Sequence, residues 1–314
     1  MWGNSESDFL SALKAVEACR YAIKTTNESV VSFAQKHSLH QQSLEEILKL
    51  RSQLCAMLSE PLDGLVPPPT PSQQMIIRQV IAGGLADQVA RKLSPEEVVS
   101  VIGQKYGKNA RMLPTYVTLT SDEFVHIHPT SFLTREAPDY ITYHEVVSSK
   151  KTYMRGITRI QPGWLLNLAP TLATLSDPLS LPPPRFDSKM GQVKCFVRVN
   201  YGPKHWPLPM QLVPYPETQE RYRFFMQFIL QGAVLKDLAQ FTESLSVRPA
   251  TTTRCANRKV LAMLEVLIRA RVDNRAKLMA KLNQEPEFLL KQYLAMIPDV
   301  TKHSQITEVW KGIH

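Results

Sequence analysis

The sequence of 314 residues predicts an α+β protein of several domains, with helices towards both ends and short strands between them. Two changes in apolar periodicity support this prediction. Apolar residues recur at helical spacing near the N-terminus, as at Phe9, Leu13 and Val16, and the period changes to two between Thr115 and Ile160. Two proline-rich stretches separate the periodic segments, and such stretches are typical of stiff, extended connectors.

Composition and periodicity divide the chain into five segments. Residues 1–60 are predicted to be a helical segment, and residues 61–72 a Pro-rich linker. Residues 73–170 form the strand-rich domain. Residues 171–191 are predicted to be a second linker, without a sustained period, which is a pattern typical of partial disorder. Residues 192–314 form a C-terminal extension.

The strand-rich domain opens with helical periodicity from Gln73 to Lys92, interrupted at Gly83 and Gly84. The alternating part then predicts four strands: Tyr116–Leu119, Phe124–His128, Ile141–Ser148 and Thr152–Ile160. Short strands so close together favour a small barrel or a sandwich.

The C-terminal extension is predicted to be mainly helical. Helical spacing is found from Tyr222 to Leu235, from Asn257 to Val272, and again from Pro286. One strand is predicted from Gln192 to Tyr201, because apolar residues alternate there with polar or aromatic ones.

The composition is that of a basic globular protein. The net charge is +9 and the pI is near 9.3, and a basic excess attracts phosphate backbones as well as acidic proteins. No apolar run is long enough to span a bilayer and no secretory signal pattern is present, so we expect no membrane partner. The cysteines form no close pair, which favours reduced thiols and a cytosolic or nuclear setting: Cys19, Cys55, Cys195 and Cys255.

Motifs for catalysis are absent from the sequence. A phosphate-binding loop needs glycine-rich backbone followed by Lys and Ser or Thr, whereas Gly107-Lys108 is followed by Asn109 and lacks the earlier glycine. Neither Gly-x-Ser-x-Gly nor His-Glu-x-x-His occurs. We therefore expect this chain to bind no cofactor and to perform no chemistry by itself.

His126 and His128 are two residues apart, so a strand would place both on one face, where they could bind a metal. A metal site needs several converging ligands, and the neighbouring His144 and Glu145 lie on faces that the spacing leaves undetermined. Hydrogen bonding of both imidazoles within the strand-rich domain is therefore the favoured interpretation.

The best candidate binding site is the turn Ser148-Ser149-Lys150-Lys151-Thr152 with the strand that follows. Its candidate RNA-binding residues are Ser149, Lys150, Lys151, Tyr153 and Arg155. Hydroxyls and ammonium groups at a hairpin tip can reach phosphate oxygens, and an aromatic ring or a guanidinium plane can stack on an unpaired base. The alternative is a solvated hairpin with Tyr153 in the core and Arg155 paired to a carboxylate. The spacing alone does not distinguish the two.

A second candidate basic cluster comprises Arg254, Arg258 and Lys259. On a helix these side chains could contact an RNA backbone. A solvated helix face is the favoured interpretation, because charged runs on helices usually face water.

Several motifs occur in an order that resembles the C-terminal region of DEAH-box RNA helicases. They are Ile81-Ala82-Gly83-Gly84-Leu85, Ile127-His128-Pro129-Thr130-Ser131, Tyr143-His144-Glu145, Tyr153-Met154-Arg155 and Trp164-Leu165. The helices before residue 60 are similar to the end of that family's ratchet bundle. The resemblance implies an N-terminal helical bundle remnant, a five-stranded oligonucleotide-binding (OB) barrel and a mainly helical extension.

The resemblance also implies a function. In this family the OB turn contacts single-stranded RNA, and Ser149 and Lys150 occupy the matching positions, whereas Lys151 departs from the pattern. The chain would then be an accessory region that guides RNA and docks regulators. ATP and Mg²⁺ would belong to the helicase motor domains, which are partners of this region.

Beyond Pro170 the extension resembles that of nucleolar DEAH helicases of small-subunit ribosome biogenesis. This implies a nuclear and nucleolar location, pre-rRNA or small nucleolar RNA as the RNA partner, and a role in releasing the U3 small nucleolar RNA. A processome or activator protein is the implied protein partner. The alternative is a protein-interaction module with little direct RNA contact.

Overall fold

The structure is a computed structural model that divides into two compact units. Unit 1 comprises residues 1–174 and 200–208, and unit 2 comprises residues 175–199 and 209–314. The residues described are 2–4, 6–58, 64–98, 100, 114–121, 123–254 and 257–313. Gly107, Lys108 and Cys255, singled out in the sequence, therefore lie outside the described residues.

Unit 1 begins with the predicted helical segment. Each of its helices starts at a side chain that accepts a hydrogen bond from the first turn, which satisfies a backbone donor left free there. These capping residues are Ser7, Ser29 and His40. The helices are α1 (Asp8–Thr26), α2 (Val30–Lys36) and α3 (Gln41–Met57). They share a small core of Val16, Cys19, Phe33, Ala34 and Leu44.

Helix α4 (Pro71–Gly84) follows the proline-rich stretch. Thr70 and Gln73 form a capping box, and Pro71 occupies the first helical position, where no backbone N–H is needed. The prediction of helical structure as far as Lys92 was wrong, because Val89–Lys92 forms strand β1. This strand pairs with a neighbour on each side, so its buried Val89 and Ala90 show no alternation.

Six further strands complete the first sheet. Their bounds are β2 (Tyr116–Thr118), β3 (Phe124–Ile127), β4 (Tyr140–Thr142), β5 (Glu145–Ser148), β6 (Thr152–Arg155) and β7 (Thr158–Arg159). Two of the predicted long strands are each broken once, at Tyr143–His144 and at Gly156–Ile157. Strands β4 and β5 are thus two halves of one long strand, and β6 and β7 are two halves of the next.

The pairings close this sheet into a ring. Strand β1 pairs with β2, β2 with β3, β6 with β5, and β4 with β1, all antiparallel, whereas β3 pairs with β6 in parallel. With each broken strand counted once, the order is one-two-three-five-four and back to one. The α+β class and the five-stranded OB-like barrel are therefore confirmed. Its core holds Ala90, Tyr116, Val125, Ile127, Leu133, Ile141, Tyr143, Met154 and Ile157.

After the barrel the chain forms a short helix and a second sheet. These elements are α5 (Leu165–Leu168), β8 (Ala173–Leu175), β9 (Arg185–Asp187), β10 (Gln192–Tyr201) and β11 (Trp206–Pro214). The sheet has the order β11-β10-β8, with β9 also pairing with β10. The segment 171–191, predicted to be a linker, thus contributes strands β8 and β9.

Unit 2 is mainly helical, as predicted for the extension. Its helices are α6 (Gln219–Leu230), α7 (Arg258–Ala270), α8 (Arg275–Gln284), α9 (Leu290–Ala295) and α10 (His303–Lys311). Across the described residues, we find no helix with the length and apolarity needed to cross a membrane.

Candidate nucleic-acid interface

The predicted hairpin joins strands β5 and β6. Ser148 and Thr152 form its last cross-strand pair, so the tip consists of Ser149, Lys150 and Lys151. The backbone N–H and the hydroxyl of Ser149 both donate to the carbonyl oxygen of Lys151, at 3.0 and 3.2 Å. All three tip residues are exposed. Neither lysine forms an ion pair with a described residue, so both charges are available to a ligand.

The position of this tip in the barrel is informative. It is the loop between the fourth and fifth barrel strands, which is one of two loops that bind oligonucleotides in OB folds, together with the faces of strands two and three. The other loop joins β1 to β2, and most of it, residues 99 and 101–113, lies outside the described part of the chain.

Tyr153 lies on the outer face of the barrel, next to the tip. It is the parallel partner of His126 across β3 and β6, while its neighbour Met154 points into the core and is fully buried. The half-buried Tyr153 ring lies between two imidazoles, with centroids 6.2 Å from His126 and 5.6 Å from His128. The alternative with Tyr153 in the core is therefore wrong. Three rings instead form what we call the aromatic strip: His126, His128 and Tyr153.

Both histidines are hydrogen-bonded, as the favoured interpretation predicted. Nδ1 of His126 lies 3.0 Å from the carbonyl oxygen of Pro114, and Nδ1 of His128 lies 2.7 Å from the hydroxyl of Thr130. No group of three or more metal-binding side chains occurs among the residues that the structure describes. Burial lowers the pKa of His126 and the charge of Lys151 lowers it further, while the bond to Pro114 opposes them. The His126 ring is therefore neutral near pH 7.

Arg155 continues the same face beyond Tyr153. One guanidinium nitrogen lies 3.7 Å from a carboxylate oxygen of Glu145, and another lies 3.4 Å from Nε2 of His128. About half of each charged side chain in the Arg155–Glu145 pair is exposed. The predicted alternative of a carboxylate partner for Arg155 is thus present, but the pair is open to solvent and therefore weak.

Hydrogen bonds connect the end of the barrel that carries His128 and Arg155 to the start of α1. The carboxylate of Asp8 accepts three hydrogen bonds, from the hydroxyl of Ser131 at 3.0 Å, the backbone N–H of Phe132 at 3.2 Å and that of Ile157 at 3.0 Å. The buried hydroxyls of Ser7 and Thr158 are 2.8 Å apart. These bonds tie the segment after His128 and the start of β7 to one helix.

The second basic cluster lies in unit 2. Arg258 and Lys259 occupy the first turn of α7, after the Asn257 cap, and both are exposed together with Arg254. Cations are disfavoured at a helix N-terminus by the helix dipole. None of the three forms an ion pair with a described residue, and no aromatic ring pairs with them within the same residues. The solvated-face interpretation and the RNA interpretation both stay open for this cluster.

Comparison with known proteins now identifies the family. The family described as "oligonucleotide/oligosaccharide-binding (OB)-fold" matches residues 77–172, and the "DEAH helicase DHX37 C-terminal domain" matches residues 237–314. The probable ATP-dependent RNA helicase DHX37 of Homo sapiens is 31% identical over 96% of this chain and 26% of its own length. The chain belongs to the C-terminal region of the DEAH-box RNA helicases.

Other relatives agree with this assignment. The probable ATP-dependent RNA helicase kurz of Drosophila melanogaster is 30% identical over 98% of this chain and 26% of its own length. The ATP-dependent RNA helicase DEAH13 of Arabidopsis thaliana is 25% identical over 99% of this chain and 26% of its own length. The chain therefore spans about a quarter of the length of these helicases, in a region outside the motor.

The groups on this face are of the kinds that contact nucleic acids. Exposed ammonium groups can contact phosphates, and neutral rings offer stacking surfaces to unpaired bases. The tip, Tyr153 and Arg155 were predicted from the sequence, but the placement of His126 and His128 on either side of Tyr153 was missed. The signal that could have shown it is the parallel pairing of strands three and five in an OB barrel, which places those residues side by side.

Proposed function

We propose that this chain is an accessory C-terminal region of an ATP-dependent DEAH-box RNA helicase and guides single-stranded RNA. The observation that carries the proposal is the exposed pair Lys150 and Lys151, at the loop between barrel strands four and five, beside the aromatic strip. A cationic track next to ring faces is the combination with which proteins bind unpaired strands without sequence preference.

Each group has a separate task in this proposal. The two lysines contact phosphate oxygens and release counterions from the RNA. The hydroxyl of Ser149 can donate to a phosphate oxygen once it turns away from the carbonyl oxygen of Lys151. Tyr153 stacks on a base, and the neighbouring His126 ring limits the movement of the Tyr153 side chain. Arg155 can contact a further phosphate or base once it leaves the weak pair with Glu145.

The test is a binding measurement on the full chain with a labelled oligouridylate of twelve nucleotides. Lys150→Glu combined with Lys151→Glu is expected to weaken binding at least about tenfold, because two cations become anions at the contact. The matched control is Lys36→Glu combined with Lys49→Glu, which reverses two exposed charges on α2 and α3 of the same unit. Equal losses in both variants would remove the hairpin from the proposal.

We further propose a role in small-subunit ribosome biogenesis, in the nucleus and nucleolus. The match of residues 237–314 to a DEAH helicase C-terminal domain supports this specialisation. The RNA partner would be pre-rRNA or a small nucleolar RNA, with release of U3 as the outcome, and ATP with Mg²⁺ would be used by the motor domains. Crosslinking of RNA to the intact parent protein in cells tests it. If sequencing of the crosslinked RNA gave fragments spread evenly over cellular RNA, the assignment would be contradicted.

A second candidate function, docking of a processome or activator protein or of the motor domains, rests on a different observation. An apolar groove of about 1100 Å³ in unit 1 is lined by side chains of α1 and α4 and by the proline-rich stretch, including Leu13, Tyr21 and Ile76. Tyr21 and Ile76 are more than half exposed, at 59% and 54%. Apolar surface of this kind marks interaction sites.

Two variants separate docking from RNA guidance. Tyr21→Asp combined with Ile76→Asp is expected to abolish co-purification of the activator with the parent helicase and to leave oligouridylate affinity unchanged. Ser72→Asp, at an exposed position at the start of α4, is the control that adds a charge outside the groove. Retained co-purification in the double variant would exclude the groove as the docking site.

A further inference from the structure

The positive charge is distributed unequally between the two units. Unit 1 contains 18 Lys and Arg residues against 16 Asp and Glu residues, a net charge of +2. Unit 2 contains 19 against 12, a net charge of +7. The barrel with its hairpin therefore accounts for little of the basic excess, and a further anionic ligand is expected on unit 2.

Strands β9 and β10 present a basic and aromatic face within unit 2. Along β10 the residues Val193, Cys195, Val197 and Val199 are buried, so the residues between them occupy the opposite face. That face carries Lys194 and Phe196, both half-buried, and the exposed Arg198. Antiparallel pairing adds Arg185, which lies opposite Lys194. We call Arg185, Lys194, Phe196 and Arg198 the β10 face.

The guanidinium of Arg185 is held over an aromatic ring. Its Cζ lies 4.5 Å from the centroid of Phe196, while the residue itself is exposed. This cation–π contact orders a side chain that would otherwise be mobile and keeps one side of its plane open to a ligand. An ordered guanidinium stacked on a ring is a platform on which a base can stack in turn.

The charges on the β10 face differ in availability. Nζ of Lys194 pairs with the carboxylate of Asp187 at 2.7 Å, so its charge is compensated. Arg198 forms no side-chain ion pair with any described residue, although its backbone N–H donates to the hydroxyl of Ser176 at 3.0 Å. Arg185 likewise forms no ion pair with the described residues. Two uncompensated cations therefore flank one aromatic ring.

We infer that the β10 face is a second binding surface for single-stranded RNA, separate from the hairpin. Alternate residues of a strand are about 6.6 Å apart, so cations on both sides of Phe196 can contact the phosphates that flank one stacked base. An acidic peptide would use the cations but not the platform of Arg185 on Phe196. The aromatic contribution therefore favours RNA over an acidic protein.

The first test compares two charge-matched variants of the full chain with the twelve-nucleotide oligouridylate. Arg185→Gln combined with Arg198→Gln is expected to weaken binding about tenfold and to reduce the slope of log affinity against log salt by about 1.4. The control, Arg248→Gln combined with Lys291→Gln, removes two exposed cations from other elements of unit 2 and is expected to change affinity less than twofold. Equal losses in both variants would overturn the inference.

The second test isolates the ring. Phe196→Leu keeps an apolar side chain at this half-buried position and removes the stacking platform, so RNA binding should weaken at least about fivefold with the melting temperature unchanged.

Photocrosslinking separates this surface from the hairpin. 4-Thiouridine RNA should crosslink to residues 185–198 in the parent chain and in the Lys150→Glu, Lys151→Glu variant. The proposal for the hairpin can therefore be contradicted while the proposal for the β10 face is supported. Unchanged affinity in Phe196→Leu, or equal competition by polyglutamate at matched charge, would overturn it.

Discussion

The two halves of the long hairpin in the barrel differ in how much of their surface is exposed. In the inner half, β4 with β7, Ile141, Thr142 and Thr158 have no exposed surface, whereas Arg159 is exposed. The outer half, β5 with β6, has exposed side chains such as Val146 at 45% and ends in the two free lysines. The same two long strands thus contribute core residues at one end and the candidate binding tip at the other. Because the strands are anchored in the core at their inner end, the lysines at the tip can be positioned without a separate hydrophobic core around them.

The largest expected effect comes from weakening the inner half. Ile141→Ala removes a fully buried side chain from the barrel core and is expected to lower the free energy of unfolding by about 2–5 kcal/mol. Val146→Ala, at the half-exposed position of the outer half, is the matched control and should cost less than about 1 kcal/mol. Urea unfolding of both variants measures the difference. Similar losses would show that Val146 contributes as much to the core as Ile141 does.

The next effect concerns the link between the inner half and helix α1. Asp8→Asn replaces an acceptor oxygen by an amide that cannot accept the N–H of Ile157, and it removes a charge bonded to three donors. We expect a loss of about 1–3 kcal/mol, because a buried donor is left unpaired.

Hydrogen exchange provides the local measurement for this variant. The amide of Ile157 should exchange faster in Asp8→Asn than in the parent chain, whereas the amide of Thr152, at the outer half, should not change. The control is Glu45→Gln on α3, whose carboxylate accepts a hydrogen bond from Gln41 of its own helix and has no other partner in the described part of the chain. Unaltered exchange at Ile157 would show that Asp8 does not hold the inner half.

The difference between the halves also marks how far the sequence could predict the fold. Alternation predicted strands over 141–148 and 152–160, with a turn at residues 148–152, because the period and the turn residues are local signals. The breaks at Tyr143–His144 and Gly156–Ile157 were missed. The breaks occur where each long strand changes its pairing partner around the barrel. A change of partner produces no change in the apolar periodicity of the sequence, so it could not be predicted from that periodicity.

The candidate site divides in the same way. Lys150, Lys151, Tyr153 and Arg155 could be named from one short stretch of sequence. The neighbours of Tyr153 come from β3, and Asp8 reaches the barrel from a position 149 residues before Ile157. Contacts over such separations depend on the closed topology, which composition and spacing do not specify. Strand β1 was missed for a related reason, since a strand buried between two partners lacks alternation.

A smaller effect is expected from the weak ion pair on the outer half. Glu145→Gln removes the carboxylate that lies 3.7 Å from Arg155 and frees its guanidinium for a phosphate. Because pairs this exposed contribute about 0.2–1 kcal/mol, we expect oligouridylate affinity to rise about two- to threefold and the unfolding free energy to change by less than about 0.5 kcal/mol. Glu123→Gln, an exposed carboxylate before β3, is the control. An affinity increase of the same size there would assign the effect to net charge alone.

The smallest expected effect is a titration shift that tests how close the tip lies to the aromatic strip. The folded pKa of His126 lies below its ordinary value, first because of burial and then because of Lys151, so the folded protein favours the neutral ring. This contribution to stability is complete above about pH 6.5 and is lost as the pH falls towards the folded pKa, because the unfolded chain then binds more protons.

Charge reversal at the tip measures the part of the shift that is due to Lys151. Lys151→Glu should raise the pKa of His126, as followed by NMR. Lys150→Glu makes the same charge change one residue away and should shift it less. Equal shifts would mean that Lys151 does not lie over the strip.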